Sequence, residues 1–93
     1  MAALSDTEAR SRLAGLDGWE IVDGKLHREL SFTDFGEAFA FMTRVALIAE
    51  KLDHHPDWSN SWNSVTIDIV SHAEGGLTER CFELAARVSE VLR

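Results

Sequence analysis

Between Asp34 and Leu52 the apolar residues keep a helical period, and on both sides of that stretch the period drops to two. A long helix set between two alternating, turn-punctuated segments leaves a chain few ways to fold. The predicted stripe is Phe35, Phe39, Met42, Val45, Ala46, Ala49 and Leu52, and Asp34 with Glu37 stands at capping-box spacing. Phe41 and Ile48 widen the apolar face beyond what one sheet contact needs, which predicts a second helix alongside or a partner subunit. Aromatics at this spacing are core residues, so Phe35, Phe39 and Phe41 receive no ligand role.

Upstream, Trp19 to Val22 and Leu26 to Phe32 flank Asp23-Gly24, a strong two-residue hairpin signal. Downstream, Trp58 to Trp62 alternates, Asn63-Ser64 can turn, and Val65, Ile67 and Ile69 alternate with polar residues. His72 is expected to end that last strand, on the face opposite Val65, Ile67 and Ile69. Two further helices bracket the chain. Ser5 and Glu8 form a capping box, Leu4 and Ala9 a staple, and Gly15 a stop; with Leu13 and Leu16 as its main anchors, this helix is expected to be the least stable. After Gly75-Gly76, Thr78 caps a helix whose buried stripe is Cys81, Leu84, Ala85, Val88 and Leu92.

The order α-β-β-α-β-β-α predicts an α+β fold, an antiparallel four-stranded sheet of two hairpins with three helices packed on one face. Ninety-three residues at 45% hydrophobic content suit a single domain spanning residues 1–93. The open strand edges invite pairing, so a homodimer that continues the sheet or buries the wide helix face is expected.

A net charge of −7 without a run of Lys or Arg argues against nucleic acid and against an anionic membrane surface as partners. No apolar run approaches the roughly 20 residues that span a bilayer. The lone Cys81 has no partner for an internal disulfide, and Met1-Ala2-Ala3-Leu4 leads into polar residues, so a reducing, cytoplasmic location is expected.

Of the 4 histidines, His54, His55 and His72 cluster between Glu50 and the final helix. Pro56 keeps His55 out of the helical region and puts both neighbouring histidines where a helix gives way to an extended segment. Three chemistries compete there. A metal site is poorly served, because adjacent residues in an extended segment point apart and no His-x-x-x-His pair lies on a helix. Nucleophilic catalysis by Cys81 conflicts with its place on an apolar stripe, where a packed, inert thiol is the simpler reading. Metal-free acid–base catalysis on a flat heterocycle suits imidazoles that titrate near neutrality, with Trp58 and Trp62 lining the pocket. One of those two tryptophans is expected to be core packing. His27 lies among charged strand neighbours and reads as a solvated residue.

The run from Phe39 through His55 to Pro56, followed by Trp62, His72 and Gly76-Leu77-Thr78, closely resembles the pterin-4a-carbinolamine dehydratases. The resemblance extends from Gly18-Trp19 to Leu84-Ala85. It implies removal of water from a 4a-hydroxytetrahydropterin to give the quinonoid dihydropterin, in the recycling that follows aromatic amino acid hydroxylation. It also implies the same fold assembled as homodimers or homotetramers, with no cofactor and no metal. By this resemblance His54 and His55 act at the departing hydroxyl and the N5 proton, and His72 binds the ring. Glu50, Asp53, Pro56, Trp58 and Trp62 become substrate-binding candidates, although Glu50 and Asp53 also read as solvated carboxylates at a helix end. One departure stands out. The family usually carries aspartate where this chain has Cys81, three residues after the Thr78 cap. That aspartate is either a capping-box acid, whose loss leaves the chemistry alone, or a group that orients a histidine. In the second case a weakened enzyme or a binding, dimerisation or adaptor module is the alternative function.

Overall fold

The computed structural model describes residues 2–93; Met1, part of the N-terminal reading above, lies outside them. The elements are α1 (Asp6–Leu13), β1 (Glu20–Val22), β2 (Lys25–Ser31), α2 (Phe35–Leu52), β3 (Asp57–Ser61), β4 (Ser64–Ile69) and α3 (Glu79–Val91). Local chemistry accounts for most of their ends. The Ser5 amide donates to Glu8 Oε1 at 2.9 Å and the Glu8 amide to Ser5 Oγ at 3.1 Å, a reciprocal cap that starts α1. Asp34 Oδ1 accepts from the Glu37 amide at 2.8 Å and starts α2. Asp23 and Gly24 both hold positive φ, 52° and 77°, which gives the β1–β2 hairpin the twist its strands require.

The strands form one antiparallel sheet in the order β1-β2-β4-β3. Register sets its two faces. Leu26 pairs with Ile69 and Leu30 with Val65, while Trp58 and Arg28 both oppose Ile67, so these side chains share the face covered by α2 and α3. The opposite face carries His27, Asp68 and Asp57 in one cross-strand row. The core joins that inner face to Ala38, Phe41, Val45 and Ala49 of α2, to Cys81, Leu84, Ala85 and Val88 of α3, and to Ala9 of α1. The first helix is further tied down by the Leu4 amide, which donates to the Leu77 carbonyl at 2.7 Å, and by an Arg12–Glu79 ion pair.

Two expectations need correction. The buried stripe of α2 is Ala38, Phe41, Val45 and Ala49, whereas Phe35, Phe39 and Ala46 face solvent. A helix apolar around most of its circumference has no unique inner face, and the sheet took the side with two alanines, which lets the backbones approach. β4 ends at Ile69, so His72 lies beyond it in a turn that the Ser71–Gly76 bridge closes. Gly15 follows the end of α1 as expected, in a tight turn in which its amide reaches the Arg12 carbonyl.

Candidate active site

The end of α2 creates the corner that carries His54 and His55. Asp53 is the residue after Leu52 and adopts the left-handed conformation, φ 53°, with its amide on the Ala49 and Glu50 carbonyls. A short polar side chain tolerates that geometry, so Asp53 has a structural reason to be there. The His54 amide then returns to the Ala49 carbonyl at 3.1 Å, and Pro56 sends the chain out into β3.

Each clustered histidine is held at one ring nitrogen, and in all three it is Nε2. His55 Nε2 lies 2.7 Å from Glu50 Oε1. His72 Nε2 lies 2.9 Å from Asp57 Oδ2. His54 Nε2 lies 3.3 Å from the sulfur of Cys81. The Nδ1 atoms of these rings meet no side-chain partner among the described residues, which leaves three imidazole nitrogens for a substrate or water. Burial, reinforced by the charges of Arg80 and His55, holds His54 below the usual histidine pKa, so its neutral form dominates at neutral pH.

Cys81 carries more than the sequence reveals. Its side chain is fully buried, and its sulfur accepts the Thr78 amide at 3.4 Å while touching His54. The sulfur thus lies between the Thr78 amide, which a capping-box acid would bond, and the His54 ring. The neighbouring residue Asp57 also went unnoticed, because nothing local links it to His72 fifteen positions away.

The structure brings only some candidates together. Glu50, His55, Pro56 and Trp58 line a cleft of about 370 Å³ with Ala46, Leu47 and Ala49 of α2. His54 turns instead toward the start of α3, and His72 toward the outer sheet face at Asp57. Trp58 is the half-buried tryptophan packed against the core. Trp62 sits at the β3–β4 turn with φ 49° and is 65% exposed. Five extended residues, at about 3.3 Å each, carry that tip about 16 Å from the corner. It does not line the cleft, so its expected contact with a substrate at this corner has no support within one chain. A larger depression, about 570 Å³ around Asp17, Arg28 and Ser89, has no histidine in its lining. Among the described residues, no three His, Cys, Asp or Glu side chains are grouped to hold a metal ion.

His27 corrects another expectation. Its side chain is 16% exposed and bonded at both ends, Nδ1 to Asp68 at 2.7 Å and Nε2 to Glu29 at 3.0 Å. Glu29 and Asp68 together raise its pKa above the ordinary histidine value.

Residues 2–91 match the family model described as pterin 4 alpha carbinolamine dehydratase. The chain belongs to that family. A pterin-4a-carbinolamine dehydratase homologue of Solibacter usitatus, so named provisionally, is 49% identical over 85 residues, covering 91% of this chain and 90% of its own. One from Chelativorans sp., also provisionally named, is 48% identical over 88 residues. The crystal structure of a Brucella melitensis protein described as a transcriptional coactivator/pterin dehydratase superposes with a TM-score of 0.91 at 42% identity, over 96% of this chain and 97% of that one. The pterin-4a-carbinolamine dehydratase fold is therefore shared along essentially the whole chain.

Proposed function

We propose that the chain dehydrates a 4a-hydroxytetrahydropterin to the quinonoid dihydropterin by metal-free histidine acid–base catalysis. The observation that carries this reading is that His54, His55 and His72 are each bonded at Nε2 and without a side-chain partner at Nδ1 among the described residues, the first two adjacent just after α2, in a chain of this family. The reaction asks for little else. The C4a–O bond breaks, the N5–H electron pair closes the N5=C4a bond, and one proton passes from N5 to the departing hydroxide to make water. Groups that titrate near neutrality each accelerate such transfers by about 10²- to 10⁴-fold. His54 and His55 handle the hydroxyl and the N5 proton; His72, aimed by Asp57, binds the ring. Glu50 aims His55, and Trp58 with Pro56 supplies a flat apolar wall. A separate reductase then returns the quinonoid dihydropterin to the tetrahydropterin pool that serves an aromatic amino acid hydroxylase. The deciding experiment supplies chemically generated 4a-hydroxytetrahydropterin and compares its decay with and without protein; equal rates defeat the proposal.

A second reading concerns assembly. Phe35 and Phe39 lie against each other in a tilted pair on the solvent side of α2 with ring centroids 5.7 Å apart, Phe39 being 55% exposed, and Leu47 extends the same helix's apolar exposure. Such a surface favours a homodimer or homotetramer, or an adaptor role for the same fold. Phe39→Asp should convert an assembled species to a monomer in sedimentation; an unchanged mass would remove α2 from the interface.

A further inference from the structure

The adjacent histidines His54 and His55 meet partners of opposite hydrogen-bonding character. Glu50 presents an ionised carboxylate, which only accepts, so His55 carries its proton on Nε2 and exposes the Nδ1 lone pair. Cys81 presents a thiol. The Thr78 amide, which only donates, fills one side of that sulfur at 3.4 Å, and the Thr78 hydroxyl lies 3.6 Å away. Of the groups around the sulfur, the His54 ring nitrogen is the strongest acceptor, so the S–H proton goes to Nε2 and the His54 N–H moves to Nδ1.

We propose that these partners divide the labour of the two histidines: Glu50 makes His55 the proton acceptor, and Cys81 is a positioning residue that makes His54 the hydrogen-bond donor. The assignment of roles rests on the dehydratase reading; the assignment of tautomers does not. In the reaction, His55 Nδ1 takes the N5 proton as the N5=C4a bond forms. The C4a–O electron pair leaves on oxygen as hydroxide, held by His54 Nδ1–H. The proton on His55 then passes to that hydroxide, giving water and restoring both rings.

The surroundings of His54 agree with an uncharged ring. Its burial, Arg80 on α3 and His55 beside it all oppose protonation, and they outweigh Glu74 in the preceding turn and Asp53. A thiolate–imidazolium pair would place two charges where the sulfur has no access to water. The aspartate expected here by resemblance acts in the reverse sense. A carboxylate accepts from Nε2–H and favours the imidazolium, so the cysteine inverts the state of His54.

The test reads the ring nitrogens by ¹⁵N NMR in the assembled, full-length protein near neutral pH. The expected pattern is Nδ1–H with an acceptor Nε2 for His54, and the reverse for His55. Cys81→Asp should move the His54 proton to Nε2 and raise its titration midpoint by about 1 to 3 units, leaving His55 unchanged. Cys81→Ser retains a donor and should keep the original pattern, which covers the case in which the aspartate variant fails to fold. Turnover supplies the second readout: His54→Asn keeps an amide donor and should exceed His55→Asn by at least about tenfold. An Nε2–H or doubly protonated His54 in the unmodified protein overturns the proposal, as does equal loss in the two asparagine variants. If the unmodified chain produces no dehydration, the role assignment falls with the dehydratase reading, while the ring nitrogens still decide the tautomers.

Discussion

His27 and His55 both bond to carboxylates, yet one is spent and the other is available. His27 lies on the outer sheet face with Asp68 on one ring nitrogen and Glu29 on the other, so its hydrogen-bonding capacity is exhausted by the fold. His55 is bonded at Nε2 to Glu50, meets no side-chain partner at Nδ1 among the described residues, and lines a cleft with Trp58 and Pro56. Under the proposed dehydration, unused valence beside a concave surface, rather than the presence of an imidazole, is what distinguishes His55 from His27. His54 sharpens the contrast, since its pKa moves down through burial while that of His27 moves up through its carboxylates.

The largest expected effect tests that contrast on turnover. Replacing His55 or His54 with alanine should lower kcat by about 10²- to 10⁴-fold. His27→Gln should leave it within about twofold, and a His27 variant as damaging as His55→Ala, with both folded, would erase the distinction. Next in size is the aiming of His72. Asp57→Asn replaces a charged acceptor by a neutral one, and a hydrogen bond to a charged group contributes about 1.5 to 3 kcal/mol. The expected loss is therefore about tenfold or somewhat more in kcat/KM, with the melting temperature little changed. Equal turnover would mean that the His72–Asp57 contact is incidental.

How far the fold was legible shows in the two long helices. α3 has one apolar side: of its predicted stripe Cys81, Leu84, Ala85 and Val88 are buried, with Phe82 beside them, while Leu92 is only half-buried at the C-cap. α2 is apolar nearly all round, so its period revealed a helix but not which side faces the sheet, and Phe35 and Phe39 were placed in a core they do not enter. The β1–β2 turn was readable because Asp23-Gly24 is a local signal with a local cause. In the site, the corner at Pro56 was readable for the same reason. The contacts that give each histidine its character were not, because Cys81 meets His54 across 27 positions and Asp68 meets His27 across 41. Side-chain partners set by tertiary packing leave no periodic trace.

The smallest predicted effect is thermodynamic and separates the two kinds of histidine by sign. The folded state binds the His27 proton more tightly than the unfolded state, so its ion pairs contribute fully below about pH 6.5 and fade as pH rises through the raised folded value. His27→Gln should therefore cost a few tenths to about 1 kcal/mol in mild acid and less above neutrality. His54 works in reverse. Its lowered value makes the neutral ring favourable above about pH 6.5, and that contribution is lost as pH falls through the folded value. Urea unfolding of His27→Gln and His54→Ala between pH 5 and pH 9 checks the two signs, and parallel curves would remove the difference in environment.

The central claim, dehydration by imidazoles without a metal, is tested most directly by one rate measurement on protein treated exhaustively with a chelator. The account predicts that the chelated protein accelerates loss of water from 4a-hydroxytetrahydropterin as fast as the untreated protein, and that His55→Ala under identical conditions does not. Acceleration that vanishes with the chelator and returns on adding zinc would contradict it.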